Sequence, residues 1–540
     1  MNIKRAKEEI KNTIEAYLLK DEWGEYVIPS IRQRPVLLVG PPGVGKTQIM
    51  EQIARECRIG LVAYTSTHHT RQSAVGLPFI EKKVYGGREY SVTEYTMSEI
   101  VASVYNRMEE TGLSEGILFL DEINCVSETL APAMLQFLQC KTFGTHRLPE
   151  GWILVAAGNP PEYNKSVREF DVVTLDRVKR IDVEPDLGVW KEYAKDRAIH
   201  PAILSYLGVK PGNFCRVEAD VDGKRFVTPR GWEDLSQFLQ VYERLGKKPD
   251  REVIVQYIQH PGISKEFANY LELYYKYQDA YRVEEILEGR FDENLCDKAA
   301  SAPFDECMGI TGMLLAGLEN GFGRHREHGR VMELLTEKLR DCRRMLLGDA
   351  GQSAQAVKAG ASEAGQPQIK LKNTEAWEIL EEQAAEIRAR RENDKKRGLL
   401  TRAQDHVFRR GEETLSAWAD ELRLTGTRDR EEAWQFLRER FMEESDRYEE
   451  EKAENASRLE HAFDFMEAAF AAGQAMVIFV TELNTSRGAL EFLNEYECER
   501  YYLYNKELLF DEQEQEIKSR IAKTRSGPFG VEPQGPKRKV

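Results

Sequence analysis

Cysteine is sparse in this sequence of 540 residues, and its eight cysteines are scattered without a C-x-x-C pair. This spacing excludes a disulfide framework or a zinc site of the usual ligand pattern, and it favours reduced thiols. Long apolar runs are also missing. The most apolar late stretch, residues 468–480, is too short to span a bilayer, and we expect it to be a buried helix. Because the start of the sequence has no apolar signal core, we expect a cytoplasmic protein.

Positive charge is in deficit, since 76 Lys and Arg face 91 Asp and Glu, which gives a net charge of −15. An acidic surface argues against broad nucleic-acid binding, although a local basic groove would not show in a total. The length predicts roughly two to four domains, because a single hydrophobic core does not grow to this size.

The most informative segment that is present is GPPGVGKT, residues 40–47, which matches the phosphate-binding pattern G-x-x-x-x-G-K-[ST]. An apolar strand-like run precedes it and a helical pattern follows it, so that backbone N–H groups can wrap phosphates at a helix start. Lys46 is predicted to neutralise the β- and γ-phosphates of ATP, and Thr47 to offer its hydroxyl to Mg²⁺. The predicted cofactor-binding residues here are Gly40, Pro41, Pro42, Gly43, Val44, Gly45, Lys46, Thr47 and Gln48.

An Asp-Glu pair ends a second apolar run at residues 117–120. Because the carboxyl ends of strands face the ligand crevice of an open α/β sheet, Asp121 is predicted to hold Mg²⁺ through water. Glu122 is predicted to orient and deprotonate the attacking water. The alternative interpretation is a solvated acidic turn.

Asn159 ends a third apolar run, at residues 152–158. A polar side chain at that strand end can sit between the γ-phosphate and the attacking water, which predicts a catalytic role. The alternative is an ordinary Asn-Pro turn, since Pro160 follows.

Two arginines complete the candidates. Arg177, at the entry to a strand-like run, can reach the γ-phosphate of a neighbouring subunit as an arginine finger; the alternative is a surface ion pair. Arg180 is a weaker rival because it lies inside the strand. Arg230 lies in the first turn of a helix that Pro229 opens, where a cation is unfavourable to the helix dipole, so binding an anion explains it better.

Taken together these motifs resemble the AAA+ ATPases, and hairpin signals at residues 79–95 and 141–146 resemble the MoxR branch and its magnesium-chelatase relatives. In that family the phosphate loop is the Walker A motif, and Asp121 and Glu122 form Walker B. Asn159 corresponds to sensor 1, Arg177 to the arginine finger and Arg230 to sensor 2. The resemblance implies a ring, expected to be hexameric, with ATP and Mg²⁺ between subunits.

The same resemblance implies a protein client. MoxR-type ATPases act as chaperones, often beside partners with a von Willebrand factor A domain, and help to assemble or metallate other proteins. The adenine-contacting residues stay open, with Ile28 as a candidate from its position before the core. The C-terminal helices are not typical of the shorter MoxR proteins, and they either dock a partner or pack against their own ring.

The expected fold is an α/β P-loop AAA+ core with a parallel sheet and two inserted β-hairpins, a helical lid and a helix-rich C-terminal region. The spacing of apolar residues over 459–480 predicts a coiled-coil-like a/d seam in that last region. The predicted divisions are an ATPase core at 1–184, a helical lid with a small β insertion at 185–347, a flexible linker at 348–373, a helical interaction region at 374–522 and a disordered basic tail at 523–540.

Two other functions remain open at this stage. A nucleic-acid translocase would need basic residues concentrated on the hairpins, whereas three basic residues between 82 and 88 are offset by three glutamates between 81 and 94. A scaffold that binds ATP with negligible turnover would have no need to keep Glu122 and Arg177.

Overall fold

The computed structural model describes residues 1–66, 71–143, 145–163, 167, 170–220, 223–347 and 375–506. Contacts divide the chain into two compact units, each assembled from separate stretches of sequence. The first contains Met1–Tyr193, Lys210–Ala268 and Glu327–Tyr448, and the second contains Ala194–Val209, Asn269–Arg326 and the chain from Glu449 onward. The predicted linker at 348–373 and tail at 523–540 lie outside the described residues. The predicted domain boundaries stay predictions.

A five-stranded parallel sheet forms the centre of the first unit. Its strands are Val36–Val39 (β1), Gly60–Thr65 (β2), Gly116–Asp121 (β5), Trp152–Gly158 (β8) and Lys179–Asp182 (β9). Their order across the sheet is β2-β5-β8-β1-β9. The helices of this part are Ile3–Leu18 (α1), Lys46–Cys57 (α2), Arg71–Val75 (α3), Glu99–Thr111 (α4), Ala131–Cys140 (α5) and Val172–Leu175 (α6). The expected parallel α/β fold is confirmed.

The sheet is buried on both faces, which is why its strands are apolar without alternation. Successive residues point to opposite faces: Leu118 packs in the cluster with α4 and α5, and Phe119 packs in the cluster with α1 and α2. Helices on both faces leave the strand ends as the accessible edges of the sheet. The edge where the strands end and the edge where they begin carry different functional residues, as described below.

Two hairpins leave this core. The longer pairs Pro78–Tyr85 (β3) with Arg88–Tyr95 (β4), and the shorter pairs Thr142–Phe143 (β6) with His146–Arg147 (β7). His146 Nε2 lies 3.0 Å from the carbonyl oxygen of Tyr95, so the two hairpins are in contact. Both predicted hairpins are confirmed, although Gly144 in the shorter turn lies outside the described residues.

Helices dominate the following part of the chain. They are Leu187–Asp196 (α7), Pro201–Val209 (α8), Pro229–Arg244 (α9), Arg251–Tyr257 (α10), Pro261–Tyr281 (α11), Val283–Leu287 (α12), Glu293–Ala300 (α13) and Phe304–Leu347 (α14). A third hairpin, Arg216–Asp220 (β10) with Gly223–Val227 (β11), precedes α9. This matches the expected helical segment with a small β insertion.

The C-terminal part is helical. Its helices are Ala376–Arg397 (α15), Arg402–Thr425 (α16), Arg430–Phe470 (α17), Gln474–Thr485 (α18) and Arg487–Glu495 (α19), with a last helical stretch at 499–506. In the first unit, the end of α14 packs with α15, α16 and the start of α17 around one apolar core that includes Leu335, Leu380 and Trp418. We call this part the helical bundle.

The helical bundle is tied to α4 of the core by two arginines. Arg397 Nε donates to the carbonyl of Thr111, the last residue of α4, at 3.0 Å. In return, Arg107 of α4 donates to the carbonyl of Arg397, the last residue of α15, at 2.7 Å. Each helix end therefore has a carbonyl capped by a cation from the other, which is favourable to both helix dipoles.

The second unit is helical in its described residues, and it corrects one prediction. The expected continuous helix over residues 468–480, and with it the a/d seam, is wrong because α17 ends at Phe470 and α18 begins at Gln474. Ala471 has a φ of +47°, and Gly473 is the N-cap of α18. The residues that suggested the seam keep a spacing of three and four on both sides of this turn, although the helix stops between them. Across it, the buried rings of Phe463 and Phe479 meet edge to face, with centroids 5.3 Å apart.

Within the described residues, no helix combines the length and apolar composition that crossing a bilayer requires.

Candidate functional site

The glycine loop joins β1 to α2, as its pattern predicts. Gly43 and Gly45 have φ angles of +78° and +92°, a region that side chains with a Cβ rarely adopt. A Cβ on Gly43 would lie 3.1 Å from Cβ of Arg230, so the loop approaches α9 closely. A glycine loop of this conformation at the start of a helix is suited to binding phosphate oxygens through its backbone N–H groups.

Lys46 is buried at the base of this loop, with 7% of its surface exposed. Its ammonium donates to the carbonyls of Gly40 and Pro41 at 2.8 and 2.9 Å, and to Oδ1 of Asn159 at 2.9 Å. The pKa of Lys46 is lowered to about 8, chiefly by burial and in part by the positive charge of Arg230, against the opposing charges of Asp121 and Glu122. Its positive charge is therefore held by neutral oxygens, which a phosphate can replace at a gain in electrostatic energy.

Two side chains converge at the mouth of the loop in a way that fits Mg²⁺. Thr47 Oγ1 donates to Oδ2 of Asp121 at 2.8 Å, which brings a hydroxyl and a carboxylate from two adjacent elements together. Oxygen donors of this kind, one or two from the protein, are what Mg²⁺ uses beside phosphates and water. Thr47 and Asp121 would hold the ion, which would supply charge neutralisation of the phosphates.

Glu122 follows directly at the end of β5. Its backbone has a φ of +55°, and its N–H donates to Oδ1 of Asp121 at 2.9 Å. At other non-glycine residues of this chain, such as Arg58 and Lys141, the left-handed conformation ends a helix, whereas at Glu122 it follows a strand at the cleft.

Asn159, at the end of β8, is brought to the site by a residue that the sequence analysis missed. Asn124 is buried, and its Nδ2 donates to the carbonyl of Asn159 at 2.8 Å. A Cβ on Gly158 would lie 2.6 Å from Oδ1 of Asn124, so the glycine makes room for this side chain. Nothing in the local pattern around Asn124 indicates the contact, because it joins the segments that follow β5 and β8, which are distant in sequence.

Helix α9 supplies the opposite wall of the site. Thr228 caps it through a hydrogen bond from the N–H of Gly231 to Oγ1 at 3.2 Å, and Pro229 occupies the first turn. Arg230 is thereby held beside the glycine loop. The cleft is lined by Pro42, Gly43, Gly45, Lys46, Thr47, Gln48, Asp121, Glu122, Asn159, Arg230 and Glu233.

Glu233 is the second residue that the sequence analysis missed. It lies one turn after Arg230, and its carboxylate accepts a hydrogen bond from Tyr193 Oη at 2.8 Å. The three-residue spacing on one helix face could have indicated it. Of the other predicted residues, Gly40, Pro41 and Val44 shape the loop without lining the cleft.

Arg177 lies away from this cleft. Strand β9 pairs with β1 in the register Val36 with Lys179 and Val39 with Asp182. Arg177 therefore lies in the turn that precedes β9, at the edge where strands begin, and ~10 Å of strand, at ~3.3 Å per residue, separates Lys179 from the level of Val39. Its guanidinium donates to Oε1 of Gln139 at the end of α5. Ile28 precedes β1, and its carbonyl accepts from Gln33 Nε2 at 3.0 Å; its contact with adenine stays a prediction.

Comparison with known families adds a decisive observation. Residues 36–173 match the family model described as ATPase family associated with various cellular activities (AAA). The chain contains an AAA domain. The match begins at β1 and ends within α6, just over a quarter of the chain, and it includes the glycine loop, Asp121, Glu122 and Asn159. Among curated proteins, none matches the sequence.

An AAA domain accounts for the cleft. Domains of this family are typically ATPases that bind ATP, usually with Mg²⁺, and they generally assemble as oligomeric rings. The buried cation, the glycine loop and the Thr47–Asp121 pair of this AAA domain fit a triphosphate with its metal ion. Arg177 and Arg230 lie beyond the matched residues.

Proposed function

We propose that this chain hydrolyses ATP within a ring of identical subunits, expected to be a cytoplasmic hexamer, and uses the energy to remodel a client protein. Assembly or metallation of the client, as by MoxR-type chaperones, is the proposed activity. A protein with a von Willebrand factor A domain is the partner class to test first.

The observation that carries the ring is the separation of Arg177 from the cleft of its own subunit. The guanidinium and the glycine loop belong to opposite edges of one sheet, and a side chain cannot cover that length. An arginine at the strand-beginning edge can complete a site only on another copy of the chain. The site is thus proposed to form where the two edges of neighbouring subunits meet.

In the proposed reaction, Glu122 accepts the proton of the water that attacks the γ-phosphate, and Asn159 holds that water in line. Lys46 and Arg230 of the same subunit stabilise the charge that develops on the phosphate oxygens. Arg177 of the next subunit adds a third cation. ATP with Mg²⁺ supplies the phosphoryl chemistry, and the protein supplies position and charge.

A protein client is favoured over nucleic acid by the long hairpin. Ile80 and Val84 are 76% and 68% exposed and lie on the same face of β3. The lysines beside them are paired with carboxylates: Lys82 with Glu89 at 2.7 Å, and Lys83 with Glu94. An apolar, charge-neutralised ribbon suits a polypeptide better than a phosphate backbone.

The test is the ATPase rate against protein concentration for the wild type, Glu122→Gln and Arg177→Ala. We expect a rate that rises with concentration, and losses of about a hundredfold or more in each variant. Mixing the two variants should restore part of the rate, because a neighbour supplies the missing group. Arg180→Ala is the matched control, since Arg180 pairs with Asp182 in its own strand and should keep the rate. A rate independent of concentration and of Arg177 would refute the shared site.

The client is sought with Glu122→Gln, which should bind ATP and release its partner slowly. Proteins retained by Glu122→Gln with ATP are compared with those retained by Lys46→Met, which should not bind ATP. Enrichment of one protein only on Glu122→Gln supports the chaperone. Nuclease-sensitive nucleic acid in its place would favour a translocase, and tight ATP binding without turnover in the wild type would favour a scaffold.

A further inference from the structure

A short turn between α1 and β1 exposes an unusual amount of apolar surface. We call residues Leu19–Val27 the Trp23 turn. Trp23 at its tip is 85% exposed, and Leu19 and Val27 at its base are 58% and 53% exposed. Large apolar groups clustered at one place on a surface indicate contact with another macromolecule, whereas single ones do not.

The Trp23 turn is held in shape by the residues around its tip. The N–H of Val27 donates to the carbonyl of Leu19 at 2.9 Å, and the N–H of Asp21 donates to that of Glu25 at 2.8 Å. Oδ1 of Asp21 also accepts from the N–H groups of Trp23 and Glu25 at 2.9 and 3.0 Å. The tryptophan is therefore presented at little cost in conformational entropy on binding.

The position of the turn is fixed against the sheet. Lys20 forms an ion pair with Glu115 at 2.7 Å, and Tyr26 Oη donates to the same carboxylate at 3.0 Å. Glu115 directly precedes β5, so the Trp23 turn lies at the edge where strands begin. Arg177 lies at that edge too. In the proposed ring, this edge faces a neighbouring subunit.

The charge of the turn restricts what it can bind. Asp21, Glu22 and Glu25 are exposed around Trp23, and Lys20 on the same turn is engaged with Glu115. A partner surface should therefore combine apolar groups with positive charge.

Such a surface is present on the same chain, at the end of α9. We call residues Val241–Lys248 the α9 end. Val241 and Leu245 are 52% and 61% exposed, and the exposed charged residues beside them are Arg244, Lys247, Lys248 and Glu243, three cations and one carboxylate. The α9 end is also ordered: the N–H of Gly246 donates to the carbonyl of Glu243, and that of Lys247 to Tyr242, both at 2.9 Å. With Gly246 at a φ of +67°, this is a Schellman cap.

We propose that the Trp23 turn of one subunit docks on the α9 end of the next copy of this chain. The two surfaces differ from each other and are complementary in charge, so the contact is head-to-tail, the kind that closes rings. It would carry the strand-beginning edge, with Arg177, towards the neighbour's helix α9, whose first turn holds Arg230. This inference rests on the proposed function, because it names the contact that would join the subunits of the ring.

The test is reversal of charge on each surface in the full-length protein. Glu22→Lys with Glu25→Lys reverses the charge of the Trp23 turn and leaves Asp21, whose side chain holds the turn in shape. Lys247→Glu with Lys248→Glu reverses the α9 end beyond the helix, where the cap stays intact. All variants carry Glu122→Gln so that ATP persists, and the assembled fraction is measured by sedimentation velocity with Mg²⁺-ATP over a range of concentrations.

We expect the charge reversal of either surface alone to raise the concentration of half-assembly by about tenfold or more. The variant with all four substitutions should return this concentration towards that of the protein with Glu122→Gln alone. Glu450→Lys with Glu454→Lys, an equal change of charge on exposed positions of α17, should leave assembly unchanged. If both single reversals weaken assembly and the fourfold variant does not recover, the pairing of these two surfaces is wrong.

The apolar part of the contact is tested separately. Trp23→Ala should raise the concentration of half-assembly by about tenfold, as truncation of a central aromatic does, whereas Leu424→Ala should not, although Leu424 is 87% exposed. If unreversed protein assembles and the Trp23 variant assembles equally well, the inference falls and the proposed function stands. If unreversed protein remains monomeric with ATP at every concentration, the ring and this contact both fall.

Discussion

Two clefts of the first unit are lined by charged side chains, and they use charge in opposite ways. In the helical bundle, Arg440 pairs with Glu421 and Glu443 at 2.8 Å, and Glu444 pairs with Arg447 at 2.6 Å. In the AAA cleft, Lys46 donates to two backbone carbonyls and an amide oxygen. The bundle neutralises its charges internally, whereas the AAA cleft directs a cation to neutral groups that an anion can replace.

An abundance of charged side chains therefore does not identify a binding site. The cleft between α16 and α17 is lined by seven ionisable side chains and is explained by helix packing; they are Arg410, Glu413, Glu421, Arg440, Glu443, Glu444 and Arg447. What distinguishes the AAA cleft is a buried ammonium beside strained backbone, with residues converging from β1, β5, β8 and α9. Substitutions in the AAA cleft should therefore change ATP binding, whereas those in the bundle cleft should change stability.

Loss of the buried cation should have the largest effect. Lys46→Met should weaken ATP binding by about a thousandfold, because two or three charge-assisted hydrogen bonds to phosphate are lost at ~1.5–3 kcal/mol each. Isothermal titration calorimetry measures the dissociation constant for ATP. Arg440→Met, the same loss of charge in the bundle cleft, is the control and should leave ATP affinity within twofold. Equal losses in both variants would remove the distinction between the clefts.

Loss of a buried carboxylate in the bundle should affect stability and spare ATP binding. Glu444 is buried, contacts His328 at 3.3 Å and pairs with the exposed Arg447, so Glu444→Ala removes these contacts and leaves a gap in the packing, which should cost about 2 kcal/mol. Differential scanning calorimetry should show a lower unfolding temperature. Its neighbour Glu443, whose side chain is 51% exposed, gives the control: Glu443→Ala should cost less than about 1 kcal/mol. An equal fall in unfolding temperature for both variants would contradict a special role of Glu444 in stability.

The lowered pKa of Lys46 predicts a pH dependence of ATP binding. At pH 8 about half of the free protein carries a neutral Lys46, and bound phosphate favours the charged form, so binding should take up about half a proton. Affinity should then fall as pH rises above about 8, by up to about tenfold per unit. Calorimetry at pH 8 in Tris and in HEPES measures the uptake from the difference in apparent enthalpy. An enthalpy independent of the buffer would contradict the prediction.

Glu233 should produce the smallest effect. Its carboxylate places negative charge in the cleft that receives a polyanion, so Glu233→Gln should tighten ATP binding by about two- to fivefold. Glutamine can still accept the hydrogen bond from Tyr193. Asp234→Asn, an equal change at the next, exposed residue, is the control and should have no effect. Weaker binding by Glu233→Gln would indicate that the carboxylate contacts the sugar or base.

The local parts of this structure could be predicted from the sequence. Apolar runs at β1, β5 and β8 and the glycine loop are encoded within a few residues, and strand ends of a parallel sheet meet at one edge. The turn at 471–473 was not predicted, because a spacing of three and four residues does not reveal that the helix stops. Asn124 and Glu233 were missed since their importance comes from contacts across the fold. For the same reason, no local sequence pattern indicates that each unit is assembled from three separate stretches of the chain.

The reciprocal arginine caps have a mechanical consequence. Helix α4 follows the long hairpin after three residues and leads to β5, which ends in Asp121, after four more. Arg107 of α4 caps the end of α15, and Arg397 of α15 caps the end of α4. Separating the two helices would therefore break both hydrogen bonds together and leave both terminal carbonyls without a cation. The two hydrogen bonds should therefore break together and not one at a time. A displacement of the hairpin that moves α4 must either move the helical bundle with it or break both of these hydrogen bonds.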